Sequence, residues 1–185
     1  MRDSIRLEVA SILPFDEIEI EHRREVLAWI DSGVELCRLS KPASPPVHLV
    51  SYFALIDDGH TLLVEHRNAQ LWLPTGGHVE PGEHPRATVV RELLEELRID
   101  YIGEVDSPVM VTSTKTVGIT AGHTDVSLWY ALRGDRTHAV EFDSSEFFSV
   151  CWYPFDDIPF ERSDPHMRRF VAKLRADRYS REATI

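Results

Sequence analysis

Cysteine is almost missing from this chain of 185 residues; only Cys37 and Cys151 occur. Two cysteines make no disulfide framework, so a reducing cytoplasm is the expected setting. No apolar run approaches the roughly 20 residues of a membrane span, and the N-terminus lacks the apolar core of a signal peptide. No membrane partner is therefore expected. Cations are scarce too: 20 Lys and Arg against 31 Asp and Glu leave a net charge of −11. That excludes the basic stripe of a binder of duplex nucleic acid. It leaves room for a small phosphate-bearing molecule, provided a metal ion and a few local cations neutralise it. There is no repeat, no low-complexity segment and no D-x-[DN]-x-[DN]-G calcium loop. Ser51, Ser127 and Cys151 have no nearby His–acid arrangement, so covalent nucleophilic catalysis is unsupported. What remains, 43% apolar and 28% charged, is enough to bury a core in one domain with a small extension.

Hydrophobic periodicity predicts a helix over Asp16–Ser32, with Ile18, Val26, Leu27, Trp29 and Ile30 on its apolar side and Gly33 as its stop. Lys41-Pro42-Ala43-Ser44-Pro45-Pro46 reads as a linker, because proline blocks both helix and ladder pairing. Residues 1–46 thus form a helical extension and linker, ahead of a module over 47–185. The extension packs on the core or on a second subunit, which leaves a homodimer open. In the module, Val47–Ile56 and His60–Glu65 flank an Asp57-Asp58-Gly59 turn, a hairpin signal. Short extended pieces follow at Leu71–Leu73, from Tyr101 to Thr116 with a break near Pro108, at Asp125–Leu132 and at Phe147–Tyr153. A last helix is expected from Asp164, with Pro165 in its first turn and Met167, Phe170, Val171 and Leu174 buried. Strands with helices at intervals give α/β character.

The most informative stretch is Gly76-Gly77-His78-Val79-Glu80-Pro81-Gly82-Glu83, read as a glycine-rich turn, running into a helix over His84–Ile99. At 3.6 residues per turn, Glu92, Glu95 and Glu96 fall at about 0°, 300° and 40° on the helical wheel. Ala87, Val90, Leu94 and Leu97 fall between about 140° and 220°, which predicts an apolar buried side opposite an acidic one. Acidic helix faces are usually solvated surface. Here, three crowded carboxylates would be relieved by a divalent cation that prefers oxygen ligands.

The full pattern, Gly77, five residues, Glu83, seven residues, then Arg91-Glu92-Leu93-Leu94-Glu95-Glu96-Leu97-Arg98-Ile99, resembles the Nudix box, G-x5-E-x7-R-E-U-x-E-E-x-G-U. The final glycine alone departs, replaced by Arg98. Arg98 adopts a left-handed turn less readily than glycine, so a shifted helix end with activity kept is expected. The resemblance implies an α/β/α fold, a mixed sheet sandwiched between helices, and metal-dependent hydrolysis of a phosphoanhydride in a nucleoside diphosphate linked to another group. It implies Glu92, Glu95, Glu96 and the Gly77 carbonyl as Mg²⁺ or Mn²⁺ ligands, Glu92 as ligand or general base, and Glu83 with Arg91 as a pair orienting the cluster. Glu146 is the candidate ligand from outside the box, with Glu141, Asp143 and Asp135 as rivals. The alternative is a silent nucleotide-binding module of the same fold, which would be free to lose the three acids kept here.

Substrate contacts are sought at Gly76 and at His78, which could touch a phosphate. Spacing along the chain gives no zinc pattern for His84, His123 or any other histidine. Tyr52, Phe53, Trp72 and Trp129 include candidates for base stacking, although strand aromatics are more often core. Thr114–Val117 carries neither the proline nor the tyrosine associated with ADP-ribose or dinucleoside polyphosphates, so nucleoside triphosphates and nucleotide sugars stay equally open.

Overall fold

A computed structural model describes residues 1–41, 43–116 and 122–182, with side chains described to residue 176. Pro42 of the linker and Val117 of the region inspected for substrate markers lie outside the described residues. β1 (Val47–Asp57) is the central strand. It pairs in parallel with β6 (Thr124–Arg133) on one side. On the other it meets β2 (His60–His66) and β4 (Thr75–His78), both antiparallel. β3 (Trp72–Leu73) and β7 (Phe147–Pro154) extend the β2 side, and β5 (Met110–Lys115) closes the β6 side. One parallel pairing among antiparallel ones makes the sheet mixed.

Helices cover both faces. Leu49, Phe53 and Leu55 of β1 point into one core with α3 (Pro85–Leu97), α1 (Arg2–Ser11) and α2 (Glu17–Asp31), through Val89, Leu93, Ile5, Val9, Val26 and Ile30. Ala54, Leu63, Met110 and Trp129 point the other way, toward Met167, Phe170 and Val171 of α4 (Met167–Glu182). This is the expected α/β/α arrangement. No helix among the described residues is long and apolar enough to cross a membrane.

Four expectations need correction. α1 was not foreseen, because its pattern is weakly apolar; it buries only Ile5, Glu8 and Val9. In α2, Ile18 is exposed and Glu19 is fully buried in its place. The reason is a partner on α4: Lys173 Nζ lies 2.6 Å from Glu19 Oε1. α4 begins at Met167, not Asp164, since Asp164 first closes a turn by accepting the His166 N–H at 2.7 Å. Finally, α3 ends on schedule after Leu97, because Arg98 itself takes the left-handed conformation (φ 55°, ψ 26°) that the missing glycine would have supplied. The Arg98 and Ile99 amides both close on the Leu93 carbonyl.

Candidate active site

Gly76 and Gly77 do not form a turn. They lie in β4, paired with Tyr52 and Ser51 of β1, and the chain turns later, at Pro81-Gly82. The reason is close approach. A Cβ on Gly76 would come within 2.2 Å of the Ser51 carbonyl oxygen, and one on Gly77 within 1.8 Å of Glu92 Oε1. Gly77 therefore leaves the space in which the Glu92 carboxylate sits.

α3 is seated differently from the expected amphipathic wheel. Ala87, Val90 and Leu94 are exposed, and beyond Pro85 in the first turn the buried residues are Thr88, Val89, Leu93, Glu96 and Leu97. Those five span about 320° to 140° on the same wheel, so the core-facing arc contains Glu96 rather than opposing it. The acidic side is turned toward the sheet, and only Glu95 points out to solvent. Thr88, Val89 and Leu93 were readable as an alternative apolar arc, but the charges on either side of them masked it.

Arg91 holds the assembly together. Its Nε and Nη2 donate to the two Glu83 oxygens at 3.0 and 3.1 Å, and its Nη1 donates to Glu92 at 2.8 Å and Glu95 at 3.1 Å. Nη2 also reaches the His78 carbonyl, 3.2 Å away, which ties α3 to β4. Thr88, which sequence reasoning missed, donates its hydroxyl to Glu83 at 2.8 Å. Burial pushes the Glu83 carboxyl upward, but the bonds from Arg91, Thr88 and the Glu80 amide bring it below its ordinary value.

Glu96 lies deepest, 6% exposed. Its Oε2 accepts the Gly76 N–H at 3.1 Å, and no guanidinium reaches it among the described residues. Burial first, then the charges of Glu92, Glu146 and Glu95, push its carboxyl up to about 9. Glu92 is also raised, by burial and by Glu95 and Glu146, against the pull of Arg91. Glu146 is exposed on the turn before β7, yet its charge is felt at both buried carboxyls. Its rivals are otherwise engaged: Asp143 accepts the Ser145 amide and hydroxyl, Asp135 accepts from Thr137, and Glu141 is exposed beside a separate cavity. The Asp143 N–H donates to the Glu96 carbonyl at 2.8 Å, which fastens the Glu146 turn to α3.

This donor set fits a hard divalent cation. A carboxyl raised that far stays uncharged at neutral pH unless positive charge stands beside it, and the charged groups acting on Glu96 are the carboxylates of Glu92, Glu146 and Glu95. Gly76 offers no free amide, since Glu96 occupies it. His78 is half-buried, accepts from Arg38 Nη1 at 3.1 Å, and is held down to about 4 by burial and by Arg38. Phe53 and Trp129 are core; Tyr52 and Trp72 are partly exposed.

Comparison with known proteins agrees with the geometry. The model of the NUDIX domain matches residues 47–174. A MutT-like protein from Streptomyces ambofaciens is 30% identical over 144 residues, covering 75% of this chain and 87% of that protein. Among solved structures, the E. coli ORF135 protein aligns with a TM-score of 0.57 at 24% identity, over 73% of this chain and 93% of that one. A MutT NUDIX hydrolase from Burkholderia pseudomallei aligns at 0.56 and 20% identity, over 69% and 98%.

Proposed function

The chain belongs to the NUDIX family and is an enzyme of its pyrophosphohydrolase type, and from that premise we propose that it cleaves a phosphoanhydride in a nucleoside triphosphate or nucleotide sugar with Mg²⁺ or Mn²⁺. The observation that carries this reading is Glu96: a buried glutamate ringed by Glu92, Glu95 and Glu146, with a carboxyl that needs a cation to ionise. Glu92, Glu95, Glu96, Glu146 and the Gly77 carbonyl would hold the ion. When bound, the ion supplies neutralisation of the phosphate oxygens and acidifies a water.

The chain's own residues do the rest. Glu92, kept in place by Arg91 and by the bare Gly77 backbone, is assigned the proton of the attacking water. Arg91 and Glu83 act as positioning residues, since their bonds run to other protein groups and set the spacing between β4 and α3. His78 follows Gly77 on β4, but side chains alternate along a strand, so its ring lies on the sheet face away from Glu92 and no phosphate contact at the carboxylate site is assigned to it. Residues 1–46 are an extension ahead of the catalytic module over 47–185, and a cytoplasmic setting suits the two free thiols.

The test is a panel of nucleoside triphosphates and nucleotide sugars, assayed with Mg²⁺, with Mn²⁺ and with excess chelator. Hydrolysis of at least one member is expected only with metal; turnover that persists in chelator overturns the reading. Glu96→Gln should lower kcat at least about 100-fold, because metal-ion stabilisation of this kind is worth several kcal/mol. An unchanged kcat in the folded variant removes Glu96 from the metal shell.

A further inference from the structure

The side of β4 opposite the carboxylates carries a second cluster. Side chains alternate along a strand, so His78 faces away from the side on which Gly77 meets Glu92. On that other face the registers bring together residues far apart in the chain. His48 pairs directly with Asp125 across β1 and β6, Val50 pairs with His78, and His123 lies two residues before Asp125. One ligand atom from each of His48, His78, His123 and Asp125 lies within 4.8 Å of all the others.

The hydrogen bonds around the cluster set its chemistry. His48 Nδ1 lies 3.0 Å from the Pro45 carbonyl; next to an acceptor, this nitrogen must be the protonated one. The Thr116 hydroxyl donates to the His123 carbonyl at 3.0 Å, so its lone pair is what faces His123 Nδ1 at 3.2 Å. Both rings can therefore carry the Nδ1 proton outward, and in the neutral form each turns an unprotonated Nε2 inward, the arrangement found when a second group fixes the tautomer of a metal ligand. The two Nε2 atoms lie 3.2 and 3.4 Å from one oxygen, Asp125 Oδ1. His48 is wholly buried, and neither its Nε2 nor Asp125 Oδ1 makes a hydrogen bond. Lone pairs aimed at a common point repel unless a cation stands between them.

The spacing also discriminates. Four ligands around Zn²⁺ at about 2.0–2.1 Å are separated by about 3.3–3.4 Å along each edge of the tetrahedron. Two of the six edges, at 3.2 and 3.4 Å, lie close to that spacing. Nitrogen-rich donor sets select Zn²⁺ and similar ions over Mg²⁺, which takes oxygen.

We propose that His48, His123 and Asp125, completed by His78, form a binding site for a transition-metal ion of the Zn²⁺ type, distinct from the carboxylate site on α3. His78 is the adjustable member. Its Nε2 now accepts from Arg38, so it completes the shell by releasing that guanidinium.

The full chain, freed of metal by chelation, tests this with Co²⁺ as a visible probe for Zn²⁺. One Co²⁺ per chain should give the intense d–d bands of four-coordination, and Zn²⁺ should bleach them. Glu96→Gln should keep the bands. Asp125→Asn and His123→Ala should weaken Co²⁺ binding at least about 100-fold, beyond the usual cost of losing an outer partner, and His78→Ala should weaken it less. Zn²⁺ should also shift the ring ¹⁵N resonances of His48 and His123 in the unaltered protein, a measurement that does not depend on any variant folding. The proposal is overturned by unshifted rings, by bands that survive in a folded His123→Ala, or by bands lost in Glu96→Gln. In the last case the ion sits on the carboxylates. A salt bridge between Asp125 and a protonated imidazole predicts no bands at all and is refuted by their appearance.

Discussion

Gly77 shows how much one missing methyl group decides. Its Cβ would lie 2.4 Å from the Glu92 carboxyl carbon, so Gly77→Ala must push Glu92 out of place. A misplacement near 1 Å at a reacting group costs about 100-fold in rate, and overpacking costs about 1–3 kcal/mol. Steady-state kinetics on a folded Gly77→Ala should show that loss, with Mg²⁺ saturation shifted upward. Wild-type kinetics would break the link between this glycine and Glu92. Residues of this kind were legible because the resemblance fixes each by type at a set spacing; the reasons, a glycine where no side chain fits and an Arg91 fork that reaches three carboxylates, are visible only in the structure. His48 and Asp125 were not legible, since their meeting depends on a pairing between β1 and β6 that neither residue announces.

At the scale of the element, α3 carries the clearest lesson. Its existence, its start near His84 and its acids were all readable, but its orientation was not. An apolar wheel assumes that charge avoids the core, and α3 breaks that rule at Glu96, where the site needs a carboxylate against the sheet. β4 was misread for a related reason: two adjacent glycines signal a turn by propensity, whereas here they allow close approach of β1 and α3. The helix end supplies a separate prediction. Arg98 sits at positive φ, which costs an L-residue about 1–2 kcal/mol, while glycine loses about 0.5–1 kcal/mol of chain entropy. Arg98→Gly should therefore stabilise the protein by about 0.5–1 kcal/mol, read from the denaturation midpoint. The same or a lower midpoint would mean that the cation at the helix terminus offsets the strain.

Across the whole molecule, the N-terminal extension is fastened to α4. Arg169 donates two bonds of 2.6 Å to Asp16, and Lys173 reaches Glu19 inside the protein. The sequence offered two options for this helix, core or second subunit; it packs on the core, and the deciding charges are more than 150 positions away in the chain, beyond any local pattern. Asp16 carries a consequence for acid stability. The hydrogen bond from Arg169 is the largest cause of its carboxyl being held down to about 2. Since the folded value lies below the unfolded one near 3.9, the contribution is present above about pH 4 and lost as pH falls toward 2. Asp16→Asn should lower stability at pH 6 and narrow the gap to wild type steadily below pH 4, measured by urea unfolding. A gap independent of pH would assign the effect of the substitution to something other than this charge.

Glu96 grips two neighbours with two different parts of itself: its side chain takes the amide of Gly76, and its backbone carbonyl takes the amide of Asp143. The strand with the paired glycines and the turn that bears Glu146 therefore pivot on a single fulcrum. A push on either one is geared to the other, so the outermost acid cannot swing on its own schedule.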